Sequence, residues 1–188
     1  MTADRVKRVR LDGQATVPIG EVSRGGLTRG DHHAWDHGLG LHEKDMPCGM
    51  VDEESGQLHI TFGSSSKTSA CIVDALAAWW AALDAHAQVA LPWRQLNMDN
   101  GPASSGRRTP CLRRRRTVAF GAGIGKPMQL LYSPPDHSKY TPIERCWGIL
   151  AWHWHGTKLV DVETRVEWVK SMTWKGIHPI VTLRRQVY

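Results

Sequence analysis

The chain has 188 residues, with 24 Lys and Arg against 18 Asp and Glu, for a formal net charge of +6. With 41% hydrophobic and 22% charged residues it has the composition of one globular domain spanning residues 1–188, which excludes a largely disordered or collagen-like chain. No stretch approaches the roughly 18 to 20 uninterrupted apolar residues of a membrane span, and Met1 to Gly13 offers no apolar run for a signal peptide, so a soluble cytoplasmic protein without a membrane partner is expected.

Alternation from Val6 to Leu11 predicts a strand ending at Asp12-Gly13, and Ala15 to Ile19 is expected to return beside it as a second strand. Gly20 to Pro47 is rich in Gly, His, Asp and Arg without a period, and reads as a long irregular excursion. Cys48 to Val51 and Leu58 to Phe62 flank the turn-forming Asp52 to Gly56, a hairpin pattern. Val73, Leu76, Ala77, Trp80 and Leu83 then follow helical spacing behind serines suited to capping. Gln95 to Asp99 reads as a short strand closed by Asn100-Gly101-Pro102, followed by a basic segment, Arg107 to Arg116, that is helical in part, and by a strand from Met128 to Tyr132. Thr141, Pro142 and Glu144 supply a cap, a proline at the first helical position and an acid three residues after the cap. The apolar face of that helix runs Ile143, Trp147, Leu150, Ala151, Trp154. A further helix from Asp161 to Met172 places Val162, Val166 and Val169 on one side, and the remaining residues read as strand-like or irregular. Early strands followed by alternating helices and strands give an α/β class with a mixed sheet.

Two of these strands end on an acid, Asp12 and Asp99, and a carboxylate at the carboxyl edge of a sheet faces the crevice in which α/β proteins bind ligands. Two such aspartates with Glu144 from a nearby helix would supply hard oxygen ligands for Mg²⁺. A pair of ions held in this way can activate a water or hydroxyl and stabilise the leaving oxygen in phosphodiester cleavage. Taken singly, Asp12 before Gly13 is also a turn former, and Glu144 is also a capping-box residue.

Asp99-Asn100-Gly101-Pro102, followed by the block from Tyr132 through Ser133-Pro134-Pro135, Ser138 and Pro142-Ile143-Glu144 to Trp147, resembles the DDE transposase signature. Ile19 to Gly26, Gly156 to Val160 and Thr173 to Pro179 further resemble the Rhodopirellula-type (ISAzo-type) insertion-sequence transposases. The resemblance implies a ribonuclease H-like mixed sheet flanked by helices, with a site of two Mg²⁺ ions, replaceable by Mn²⁺, that cuts and rejoins DNA at transposon ends. It places the three catalytic, metal-holding acids on Asp12, Asp99 and Glu144, with Asn100 as site support. Arg24 and Arg29 in the histidine-rich loop, Arg107 and Arg108 in the basic segment, and Lys139 and Arg145 beside the third acid are the expected DNA contacts, with a homo-oligomer expected in the complex with transposon ends and target. Only eleven residues precede Asp12, so the chain looks like a copy truncated at the N-terminus, where such proteins carry a DNA-reading region. Asp136 and Thr141 stand where the family usually has Tyr and Asn, and Pro110 to Gly125 does not align cleanly. The alternatives are therefore a transposase-derived DNA-binding remnant without catalysis and a general ribonuclease H-like nuclease.

Other features are less pointed. Cys48, Cys71, Cys111 and Cys146 have no CxxC pair and read as buried thiols. His32, His33, His37 and His42 fit a DNA-facing or solvated loop better than a zinc site, which wants short paired ligand spacing. Most of the nine tryptophans fall on helices as packing anchors, with Trp152 off the apolar stripe and free to stack on a base. Arg107, Arg108 and Arg113 to Arg116 supply six positive charges, and without them the chain balances at 18 against 18.

Overall fold

The structure, a computed structural model, describes residues 6–13, 17–18, 44–63, 69–91, 93–99, 119–126, 128–133 and 141–184. Strand β1 (Val6–Gly13) is central, pairing antiparallel with β3 (Lys44–Asp52) and parallel with β5 (Trp93–Asp99). β3 pairs with β4 (Leu58–Gly63), β5 with β6 (Met128–Ser133), and β4 with β7 (Ile180–Leu183), giving the order β6-β5-β1-β3-β4-β7. Short β2 (Val17–Pro18) lies off this path. It pairs with β3 through Val17 and Asp45, not with β1 as the sequence suggested.

β3 also begins at Lys44, inside the stretch expected to be irregular. Its turn to β4 follows from Asp52, whose Oδ1 accepts from the Glu54 N–H at 3.0 Å while Ser55 Oγ donates to Oδ2 at 2.7 Å. Gly56 takes φ +75°, which its lack of a Cβ allows, and Lys7 of β1 pairs with Asp52.

Helices cover both faces of the sheet. On one, α1 (Ser69–Ala82) sets Ile72, Ala75, Leu76 and Trp79 against Val9, Leu11, Met46, Cys48, Met50, Leu96 and Met98. Short α2 (Ala85–Ala90), capped by Asp84, follows it and had no clear sequence signal. On the other face, α3 (Pro142–His153) and α4 (Val162–Ser171) pack Ile143, Cys146, Trp147, Leu150 and Val169 against Val51, Leu58, Ile60 and Phe62. Arg165 of α4 is fully buried, with its guanidinium carbon 4.1 Å from the centre of the Phe62 ring. Each fully buried Leu, Ile or Phe in these layers contributes about 1.5–3 kcal/mol. The whole is a ribonuclease H-like mixed sheet flanked by helices.

Two details of α3 depart from the sequence pattern. Thr141 is the N-cap and Pro142 the first helical residue, but the Thr141 side chain makes no capping hydrogen bond. Ala151 is exposed, and Cys146 takes the place expected for it on the buried face. After α4, Lys175 and Gly176 both take positive φ, at 50° and 78°, and reverse the chain between Trp174 and Ile177 as in a type I′ turn.

Candidate active site

Alternation along β1 sends Val9 and Leu11 into the α1 core and leaves Arg8, Arg10 and Asp12 on the opposite face. That face is a polar floor. Arg8 Nε donates to Gln95 Oε1 at 3.2 Å, and Gln95 Nε2 donates to Gln129 Oε1 at 2.9 Å across β1, β5 and β6. Arg10 pairs with Glu53, which also accepts from Asn97 Nδ2 at 3.5 Å. The floor ends at Asp12. Leu11 is in register with Met98, so Asp12 and Asp99 occupy the next step side by side, at the carboxyl ends of two parallel strands whose usual spacing is about 4.8 Å. Asp99 faces Ser133 of β6 on its other side.

Glu144 arrives on α3, which packs against β1 and β3 beside this point. The contact is specific. Gly49 is the antiparallel partner of Asp12, and a Cβ there would lie 2.6 Å from Cη2 and Cζ2 of Trp147 and 2.9 Å from Cδ1 of Ile143. The missing side chain thus makes a socket for the indole. Within it, Trp147 Nε1–H donates to Asp12 Oδ2 at 3.2 Å, with the two residues only 4% and 8% exposed. Glu144 lies three residues before Trp147, one helical turn away on the same side of α3 and about 4.5 Å along its axis.

The structure therefore brings Asp12 and Asp99 together by register, and the helix of Glu144 onto the strand of Asp12 through Trp147. Among the described residues, no group of three His, Cys, Asp or Glu is gathered as a metal site; of Asp99 only the backbone is described. The donor chemistry is all carboxylate oxygen, the kind that suits Mg²⁺ or Mn²⁺ and not zinc or copper. Arg145, next to Glu144, is exposed. Arg24, Arg29, Asn100, Arg107, Arg108 and Lys139 lie outside the described residues, as do the histidines from His32 to His42 and Cys111.

Burial pushes the Cys146 thiol up to about 12, which keeps it protonated and unreactive. His153 and Ser171 tie α3 to α4 at 2.9 Å, and Ser171 Oγ donates to the Trp168 carbonyl. Trp152, 74% exposed, is indeed off the apolar stripe, while Trp79, Trp147, Trp154 and Trp174 are buried. Sequence reasoning took Trp147 for a packing residue and passed over Gly49. The signal available was the Pro-Ile-Glu-x-x-Trp spacing, which puts the indole one turn from the acid on one helix face.

The family model described as the Rhodopirellula transposase DDE domain matches residues 1–188. The chain belongs to that family. Among solved structures, this DDE domain is similar to the Mos1 transposase paired-end complex with left transposon end, with a TM-score of 0.54 and 12% identity. It is likewise similar to the Mos1 mariner paired-end complex with Mn, at a TM-score of 0.53 and 13% identity. A pre-cleavage Mos1 transpososome gives a TM-score of 0.52 at 10% identity. At such identities the likeness is one of fold. The DDE domain is covered over 86%, 86% and 88% of its length in these three, but spans only 46%, 46% and 47% of the Mos1 chains. No curated protein sequence matches it, and no described helix is long and apolar enough to cross a membrane.

Proposed function

We propose that this domain cuts and rejoins DNA strands at the ends of an insertion sequence, with Asp12, Asp99 and Glu144 as its catalytic, metal-holding acids. One observation carries the reading most of the way. The Trp147 bond to Asp12 draws the first turn of α3, with Glu144, onto the strand end where Asp12 and Asp99 stand in adjacent register. Membership of a transposase DDE domain family supports the same assignment.

Two divalent ions, Mg²⁺ or Mn²⁺, would supply positive charge to the attacking and leaving oxygens of a phosphodiester. The protein's own part is to hold three carboxylates in place and to receive the DNA backbone. Asp12 does so from a rigid central strand, with one oxygen fixed by the indole. Arg145 projects to solvent beside Glu144, and with Arg24, Arg29, Arg107, Arg108 and Lys139 it is proposed to contact phosphates, Asn100 supporting the site. Water attack would free a 3′-hydroxyl at the element end, and that hydroxyl would attack target DNA, with two or more copies assembled on DNA in the bacterial cytoplasm.

The test is strand cleavage of element-end DNA with Mg²⁺ or Mn²⁺, comparing the protein with Asp99→Asn. Loss of cleavage by Asp99→Asn, with DNA binding retained, is the expected result. Cleavage by Asp99→Asn at the unaltered rate overturns the assignment. Salt-sensitive binding without any nicking identifies a non-catalytic DNA-binding domain, and preference for an RNA–DNA hybrid a general nuclease.

A further inference from the structure

Resting on the site reading above, we infer that Trp147 is a positioning residue for the metal site, acting through Asp12 and not only as part of the core. An indole Nε1–H can donate but cannot accept, and it carries no charge. It can therefore hold one oxygen of a carboxylate in a fixed direction without neutralising the anion, as a lysine or arginine there would do in part. At 3.2 Å, between residues 4% and 8% exposed, the bond from Trp147 to Asp12 Oδ2 is of this kind. The Oδ2 atom of Asp12 is thereby held at a strand end where a metal ligand has to be presented at a defined angle.

The same side chain has a second, geometric part. Its six-membered ring occupies the space that a Cβ on Gly49 would fill, and Ile143, one turn earlier on α3, flanks the same spot. Glu144 follows Ile143 directly and precedes Trp147 by three residues, so the socket that seats the indole also sets how far along β1 the Glu144 turn lies. One residue thus fixes the orientation of the first acid and the approach of the third. These acids are 132 positions apart in sequence, and the bond that joins their elements spans 135. Groups that orient a metal-holding side chain in this way typically change metal affinity or activity about tenfold to a hundredfold when removed.

Trp147→Phe removes the N–H and also the outer ring atoms Cη2 and Cζ2 that lie over Gly49, so its metal binding is read against a variant of lowered stability. Leu76→Ala, in the core on the opposite face of the sheet, is the control, lowering stability without touching the donor or the socket. Mn²⁺ affinity of the DNA-free protein, read by electron paramagnetic resonance of the free ion, is the measurement, alongside thermal unfolding. The expected result is about tenfold or more weaker Mn²⁺ binding by Trp147→Phe and an unchanged constant in Leu76→Ala, although that variant unfolds at a lower temperature. Should wild type bind Mn²⁺, and Asp12→Asn lose it, while Trp147→Phe binds as tightly as wild type, the positioning role is overturned and the acid site stands. Wild-type protein that binds no Mn²⁺, or that binds it equally with Asp12→Asn, overturns both. If Trp147→Phe fails to fold, the wild-type indole N–H resonance decides, identified by its proximity to Gly49 and Ile143. It should be protected from solvent exchange, shift on adding Mg²⁺ and move in Asp12→Asn; a resonance indifferent to all three overturns the inference.

Discussion

Gly49 is conformationally ordinary, and what it contributes is space. Any side chain there meets Trp147 at 2.6 Å, and the indole cannot retreat because Trp147 is buried against the sheet. Gly49→Ala should therefore destabilise the fold by about 1–3 kcal/mol, the usual cost of overpacking, seen as a lower urea midpoint. On the neighbouring strand β4, where His59 stands opposite Met50, burial pushes the pKa of His59 down to about 4 from 6.5, although the Asp52 carboxylate pulls it the other way. The unfolded chain takes up a proton near pH 6.5 that the folded chain refuses until about pH 4. Its stabilising effect is thus complete above pH 6.5 and falls away as pH drops through that window, by about 3 kcal/mol in all. Asp52 adds a later loss. Burial acts to raise its carboxyl, but hydrogen bonds from Lys7, Ser55 and the Glu54 N–H outweigh this and hold it below its ordinary value, so its contribution disappears only in stronger acid. Urea unfolding at pH 7.5 and pH 4.5 should show the first loss, and His59→Gln, which cannot titrate, should flatten the profile between them. Cys48 and Cys146 are both buried, and burial keeps Cys146 protonated. Neither should react with iodoacetamide in the folded protein, and mass-spectrometric mapping should find both labelled in urea.

Among the elements, α3 does most to join core and site. Leu150 is fully buried in the layer between α3 and β4, so Leu150→Ala should cost about 2–5 kcal/mol in a denaturant titration. It should also weaken cleavage, since the same helix carries Glu144. How much of this was legible in the sequence follows from the range of the forces involved. β1, the β3–β4 hairpin, α1, α3 and α4 announce themselves by local period, turn residues and capping signals, though β3 begins at Lys44, four residues before its expected start. The partner of β2 and the pairing of β7 with β4 depend on which edges remain open once the sheet has formed, which no short window of sequence contains. α2 has no buried residue and hence no apolar stripe to betray it. The site divides the same way. Strand-end acids can be picked out because each ends its own strand, and the parallel β1–β5 pairing then sets Asp12 and Asp99 in adjacent register. The bond between Trp147 and Asp12 is a contact over 135 positions, and Gly49 matters only as the floor beneath it.

For the whole molecule, the net charge of +6 resolves into six arginines between Arg107 and Arg116 and an otherwise balanced chain. If this segment tracks a DNA backbone, replacing all six by glutamine should weaken binding to any duplex alike. The slope of log affinity against log salt should flatten by roughly 0.9 for each phosphate that is no longer neutralised. Fluorescence anisotropy at several salt concentrations measures this, and an unchanged slope would exclude the segment from the interface. The sheet itself carries a consequence for how the protein is made. β4, whose six residues are all buried, finds its outer neighbour only when Ile60 meets Val181. A chain emerging from the ribosome completes the elements that carry the proposed acids, from β1 to α3, before that last strand exists, and until then β4 presents bare hydrogen-bonding groups along one side. Such an edge is a template for any passing strand. Synthesis that stops short of Ile180 would thus give a molecule with every proposed catalytic acid present and a built-in tendency to join its own kind edge to edge.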